Sequence, residues 1–152
     1  MTARRTALTV FAAFFVGEVL AVAVHGFVLA SDYAPYYGRM LRSGSDAGWP
    51  FLLLPVAHLS FAGALVWIYS RAGFEGSRIV RGLKLGVLGF FVGQAPLWLL
   101  WFAEQPWPVA LVAKQLVLEL ASSLIIGATI AAVAPATDAV RPGLRSGLGV
   151  GG

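Results

Sequence analysis

The sequence predicts an all-α membrane protein in which four transmembrane helices form one bundle. Of its 152 residues, 59% are hydrophobic and only 12% are charged, whereas a soluble domain has about 25% charged residues. The apolar residues are gathered into runs of at least about 20 residues, which is the length that crosses ~30 Å of hydrocarbon. This composition excludes a water-soluble enzyme, a nucleic-acid-binding module and a disordered chain.

Helix-breaking residues separate the apolar runs, with Pro50, Gly73 and Pro106 in the gaps. The predicted spans cover about residues 7–30, 51–70, 83–102 and 109–134. We therefore expect a transmembrane domain over 1–134. The glycine-rich segment 135–152 is expected to be a disordered cytoplasmic tail.

The first run follows Arg4 and Arg5, as the apolar core of a signal peptide would. Its apolar length exceeds that of a signal sequence, and Glu18 interrupts it. We therefore expect this run to remain in the protein as the first transmembrane helix.

The basic residues indicate the orientation, because lysine and arginine accumulate in cytoplasmic loops. Only Arg39 and Arg42 lie in the loop after the first run. On the opposite side lie Arg4, Arg5, Arg71, Arg78, Arg81, Lys84, Arg141 and Arg145. Both termini are therefore expected in the cytoplasm, and the first loop is expected on the outer face.

The first outer loop has the pattern of a short amphipathic helix lying in the membrane interface. Apolar and tyrosine side chains recur there at helical spacing, with Ser31 or Asp32 as N-cap and Pro35 in the first turn. The residues expected at the interface are Asp32, Tyr33, Tyr36 and Tyr37. An irregular loop whose tyrosines dip into the headgroups is the alternative.

Four glycines spaced along the third run would let a neighbouring backbone approach closely. They are Gly82, Gly86, Gly89 and Gly93. Packing against another helix of the same chain is the favoured interpretation, and a homodimer or larger membrane complex through these glycines is the alternative. Membrane lipids are the other expected partner, and nucleic acid is not expected.

Polar residues inside the apolar runs are the most informative feature, because each ionisable group costs ~3 kcal/mol at the bilayer centre. The predicted polar cluster consists of Glu18, His25, His58, Gln94, Lys114, Gln115 and Glu119. At ~1.5 Å of rise per residue, all fall in the outer half of the bundle, with the two glutamates nearest the midplane. Gln115, Glu119 and Ser122 share one stripe of the fourth helix.

This cluster is compatible with several roles. Glu18 and Glu119 are either neutral acids that fix the register of the bundle or carboxylates that bind a proton or cation. His25 and His58 either bond backbone carbonyls or ligate one haem between them. No catalytic group or metal site is predicted, and the chain is expected not to be an enzyme, with lipid or quinone chemistry at the outer leaflet as the alternative.

A glutamate inside the first of four short helices resembles the arrangement in the small multidrug resistance transporters, with Glu18 at the matching place. The resemblance implies a dimeric carrier in which cation and proton compete for this carboxylate. The chain departs from that family in its greater length, its interfacial segment and its additional polar residues.

The end of the first run reads His25-Gly26-Phe27-Val28-Leu29-Ala30-Ser31-Asp32-Tyr33. This His-Gly-x-x-Leu-x-x-Asp-Tyr stretch resembles one found in small uncharacterised four-helix bacterial membrane proteins. The resemblance implies a multi-pass protein of the bacterial cytoplasmic membrane and no particular activity.

Without a substrate signature, the leading interpretation is a structural or accessory membrane protein whose polar cluster specifies the fold. A proton- or cation-coupled carrier that acts as a dimer through Glu18 and Glu119 is the first alternative. A bis-histidine haem protein is the second, with His25 and His58 as ligands, and otherwise no cofactor is expected.

Overall fold

The computed structural model describes residues 2–42 and 48–134. Four of its helices are long and apolar enough to cross a membrane. These spans, numbered in chain order, are Ala3–Val28, Trp49–Arg71, Arg78–Glu104 and Val109–Val133. Helices make up 84% of the described residues and no strand occurs among them, which confirms the all-α four-helix class. The predicted tail, 135–152, lies outside the described residues.

Short helical segments of other types interrupt or extend the α-helices. The chain order is α1 (Ala3–Ala23), a π-helix (Val24–Val28), α2 (Ala30–Tyr33), a 3₁₀ helix (Ala34–Tyr36), a second 3₁₀ helix (Trp49–Leu52), α3 (Leu53–Arg71), α4 (Arg78–Gly89), a second π-helix (Phe90–Gln94), α5 (Ala95–Glu104) and α6 (Val109–Val133). The second π-helix comes just before Pro96, which has no backbone N–H to offer the preceding turn. A widened turn is a common response to such a lost bond.

The third and fourth spans are in the closest contact. A Cβ placed on Gly86 would lie 2.5 Å from the Ser123 carbonyl oxygen and 2.7 Å from Leu124 Cα. Gly82 faces the backbone of Gly127 and Ala128 in the same way. Only glycine permits this approach, because any side chain would separate the two backbones.

The remaining glycines of this series face the second span, where Gly89 and Gly93 lie against Phe61. All four glycines therefore pack within the chain, as the favoured interpretation predicted.

Two apolar clusters divide the bundle along its length. The terminal half contains the N-terminus and the turn between the second and third spans, and its buried core is Ala13, Ala62, Leu65, Val66, Tyr69, Leu85, Ile126, Ile130, Ala131 and Ala134. The loop half contains the segment after the first span, and its buried core is Val24, Leu29, Tyr33, Trp107, Leu111 and Val112. The loop half corresponds to the side predicted to face outward.

A short helix does follow the first span, as α2 and the first 3₁₀ helix, and it ends at Tyr36. Tyr37 is extended and Gly38 has a positive φ of 74°, so the chain turns back there. Tyr33 is 5% exposed and belongs to the loop-half core. Tyr33 therefore packs against the bundle, and its hydroxyl has a hydrogen-bond partner there.

Candidate functional site

Between the two apolar clusters lies a cavity of about 70 Å³. Small residues of the first and second spans, including Ala13, Gly17 and Ala62, form part of its wall. Its polar lining comes from all four spans: His25, His58, Gln94, Glu119 and Ser122. At ~30 Å³ per molecule of liquid water, the cavity accommodates about two water-sized groups.

The first histidine–carboxylate pair joins the second span to the first. His58 Nδ1 lies 2.7 Å from Glu18 Oε1. Each side chain is about one-third exposed, at 33% for His58 and 31% for Glu18. A neutral imidazole with its proton on Nδ1 already makes this bond, so the pair needs no additional proton.

The second pair joins the first span to the fourth and belongs to a hydrogen-bonded network. Tyr33 donates to Gln115 Oε1 at 2.7 Å, and Gln115 Nε2 donates to Glu119 Oε1 at 2.8 Å. The same Glu119 oxygen lies 3.4 Å from His25 Nε2. The other ring nitrogen of His25, Nδ1, lies 3.1 Å from the Tyr33 hydroxyl.

These directions fix where protons must be. The single hydroxyl proton of Tyr33 is committed to Gln115, so the Tyr33 oxygen accepts from His25 Nδ1–H. A neutral His25 then presents an unprotonated Nε2 to the Glu119 carboxylate, and two acceptors face each other. One added proton, on either group, converts this contact into an attraction. The Glu119–His25 pair is therefore sensitive to proton occupancy in a way that the Glu18–His58 pair is not.

Tyr33 keeps its own proton in this arrangement. Burial raises the pKa of the Tyr33 hydroxyl above its usual range, and the negative charge of Glu119 adds to the effect. The hydroxyl is consequently a fixed donor at neutral pH. This holds the Gln115 amide, and through it Glu119, in one orientation.

Two polar side chains of the cavity make no hydrogen bond within the described ranges 2–42 and 48–134. They are the Gln94 amide and the Ser122 hydroxyl. Ser122 is only 9% exposed. Both side chains border the cavity, so a polar group that enters it would find hydrogen-bond partners there.

Lys114 is separate from this cluster, contrary to the prediction. Its ammonium group lies 2.8 Å and 3.0 Å from the two carboxylate oxygens of Asp32. The side chain is 55% exposed. Lys114 and Gln115 point in directions about 100° apart on the helix, so only Gln115 faces the bundle. Asp32, predicted to lie at the interface, instead ties the segment after the first span to the fourth span.

The two π-helices coincide with the polar layer. His25 lies in the first of them and Gln94 in the second. Such segments are rare in proteins and occur frequently at functional sites. The structure therefore brings together six of the seven predicted polar residues, namely Glu18, His25, His58, Gln94, Gln115 and Glu119.

Sequence reasoning missed the role of Tyr33, which was assigned to an interfacial tyrosine series. Its distance of eight residues from His25 was the available signal. That spacing indicates a shared face only when the intervening chain remains helical, and here a π-helix and a short α-helix achieve this.

The haem alternative stays a prediction, and the structure shows His25 and His58 each beside a carboxylate. His25 Nδ1 is hydrogen-bonded to the Tyr33 hydroxyl, and its Nε2 lies 3.4 Å from the Glu119 carboxylate. The cavity of about 70 Å³ is also far smaller than the ~300–1,000 Å³ of typical ligand sites. Within the described ranges, no group of three or more His, Asp or Glu side chains is placed to hold a metal ion.

Comparison with protein families, with curated proteins and with solved structures found no match for this chain. Interpretation of the site therefore depends on its geometry.

Proposed function

We propose that this polytopic membrane protein is a small proton-coupled carrier, in which the Glu119–His25 pair is the proton-binding group. The proposal depends on one observation: His25 Nε2 and Glu119 Oε1 lie 3.4 Å apart, beside a polar cavity. The hydrogen-bond directions make this contact repulsive without an extra proton and attractive with one. Proton occupancy therefore changes how the first and fourth spans hold together.

Coupling follows from the position of the pair on the cavity wall. Loss of the proton leaves a carboxylate facing the cavity, and gain of the proton neutralises that charge. An occupant that carries charge therefore competes with the proton or is admitted by it. His58 lines the cavity from the second span and stays hydrogen-bonded to Glu18 in both states, because a neutral imidazole already makes this bond.

One copy of the chain supplies every residue that lines the cavity. The proposal consequently treats the single chain as the functional unit, whereas the sequence alone suggested a dimer. Carriage requires that the loop-half and terminal-half clusters open in turn. The loop-half core has six buried residues and the terminal-half core has ten, so the loop half is the side expected to open first.

We further propose that the protein lies in a bacterial cytoplasmic membrane with both termini in the cytoplasm, from its arginine distribution. A reporter enzyme that works only in the cytoplasm should be active when it is fused after Gly152. If a reporter that works only outside the cytoplasm were active at the same position, the orientation would be the opposite of the one proposed.

Proton exchange is tested with purified protein in liposomes that contain a pH-sensitive dye. After an imposed pH step, wild-type vesicles should equilibrate faster than empty vesicles, and Glu119→Gln should remove the difference. Glu104→Gln is the matched control, because Glu104 is the exposed last residue of α5. Equal rates for wild type and Glu119→Gln, with both proteins monodisperse, would disprove the proposal.

A structural or accessory role is the second candidate, and one observation favours it. Glu18, His25, His58 and Glu119 each have a partner within the bundle. A polar core that only fixes helix register would look the same at these four residues. Under this role Glu119→Gln would lower stability without altering proton exchange.

A further inference from the structure

We propose that the cavity binds a small ammonium-type cation, meaning ammonium itself or a monomethylated amine, in exchange for the proton of the Glu119–His25 pair. This inference rests on the proposed function and names its substrate class. It is carried by the unpartnered polar groups of the cavity together with the cavity's size and charge.

The polar atoms available to an occupant are mainly hydrogen-bond acceptors. Glu119 uses Oε1 for both contacts that the structure shows, which leaves its second carboxylate oxygen for an occupant. The Gln94 amide and the Ser122 hydroxyl also line the cavity without a protein partner in the described chain, and each can offer an acceptor oxygen. An ammonium group carries donors in several directions and so matches three acceptors at once.

The size of the cavity restricts which cation enters. About 70 Å³ accommodates two groups of water size, which suits ammonium with one water or methylammonium alone. Phe61 and small apolar residues form much of the remaining wall. A ring beside the site tolerates a weakly hydrated cation and gives no further oxygen ligand to a metal ion. The multidrug substrates suggested by the sequence resemblance would not fit this volume.

Charge makes the binding of the cation and of the proton mutually exclusive. The titratable groups around this layer are Glu18 and His25 from the first span, Tyr33 from α2, His58 from the second span and Glu119 from the fourth. The third span contributes the uncharged Gln94. Lys114 is paired with Asp32 and is separate from the layer.

The exchange balances in charge and atoms. A pair that holds one proton, plus one ammonium-type cation, gives the deprotonated pair with the cation bound, plus one released proton. The site has the same net charge before and after. No covalent bond other than the bond to the transferred proton is made or broken.

The test is isothermal titration calorimetry of the detergent-solubilised full chain, in two buffers of different ionisation enthalpy, which reports binding and protons released together. Ammonium and methylammonium chloride should each bind with release of about one proton per chain. Tetramethylammonium should fail because it has no N–H donor. Sodium and potassium chloride should fail because too few oxygen ligands face the cavity.

Matched variants locate the site. Ser122→Ala should weaken ammonium binding about two- to tenfold, the range for one lost hydrogen bond. Ser60→Ala is its control, because the Ser60 hydroxyl is exposed and bonds the Val56 carbonyl of its own helix. Glu119→Gln should weaken binding about 10- to 100-fold, as expected for a charge-assisted bond. If Glu119→Gln is not monodisperse, the serine pair alone decides.

The outcomes separate this inference from the proposed function. Proton exchange in liposomes without ammonium binding, or with equal binding of potassium, overturns the ammonium inference and leaves the proton carrier standing. Equal effects of Ser122→Ala and Ser60→Ala overturn the location of the site. Absence of both ammonium binding and proton exchange overturns the two proposals together.

Discussion

In the terminal half the third and fourth spans touch backbone to backbone, whereas in the polar layer between the two halves the spans are joined through side chains that surround a cavity. Glycine contacts such as that of Gly86 leave no room for a side chain between these two backbones. The His25, Glu119 and Gln115 contacts depend on proton positions and on side-chain rotation. The terminal half therefore holds the third and fourth spans close together, and the polar layer supplies the titratable groups.

The largest expected loss of stability comes from a substitution in the terminal half. Gly86→Ala places a methyl group within 2.5 Å of a backbone oxygen, so the third and fourth spans must move apart. Overpacking against backbone, which cannot rotate away, should cost about 3 kcal/mol of unfolding free energy. The measurement is reversible unfolding in mixed detergent micelles.

Gly63→Ala is the matched control, because a Cβ at Gly63 meets nothing within 4 Å. Its unfolding free energy should stay within about 0.5 kcal/mol of wild type. If the two variants were equally stable, the close contact of the third and fourth spans would not be the support of the bundle.

A smaller loss of stability is expected from a substitution in the polar layer, between the two apolar clusters. Tyr33→Phe removes the hydroxyl that joins His25 to Gln115 and leaves both without that partner. We expect a loss of about 1–3 kcal/mol of unfolding free energy. Tyr37→Phe, at a tyrosine that is 49% exposed, should have almost no effect. Similar losses for both would show that the network contributes nothing to stability.

Tyr33 also makes the unfolding free energy depend on pH. Burial and the nearby Glu119 raise the pKa of Tyr33 above the unfolded value near 10. The resulting stability is fully present below pH ~10 and is lost as the pH rises above it. Tyr33→Phe should lack this alkaline decrease in unfolding free energy. A decrease of the same size in the variant would assign it to another group.

The smallest effect is expected at the Asp32–Lys114 ion pair. Because Lys114 is 55% exposed, a double-mutant cycle with Asp32→Asn and Lys114→Met should give a coupling below about 1 kcal/mol. The coupling should decrease further at high salt. A salt-insensitive coupling above ~2 kcal/mol would instead place this pair inside the structural core of the loop half.

The number and length of the spans follow from the sequence because lipid leaves the chain few choices: each apolar run must satisfy its own backbone as a helix. The stripe of Gln115, Glu119 and Ser122 on one helix was also predictable from the helical period. How the helices are rotated toward one another was not. That rotation decided that Lys114 lies apart from the cluster and that Tyr33 lies inside it.

The two π-helices also have a consequence for how this chain tolerates change in length. A π turn holds about one residue more than an α-helical turn, and each residue of an α-helix turns the chain by about 100°. Deleting Gly26 would allow the first span to end as a continuous α-helix. Because the π turn already accommodates that additional residue, Tyr33 would keep roughly its present direction toward Gln115 and His25. Deletion of one residue at this turn is therefore expected to leave the loop segment in place, whereas deletion of one residue from regular α-helix would rotate it by about 100°.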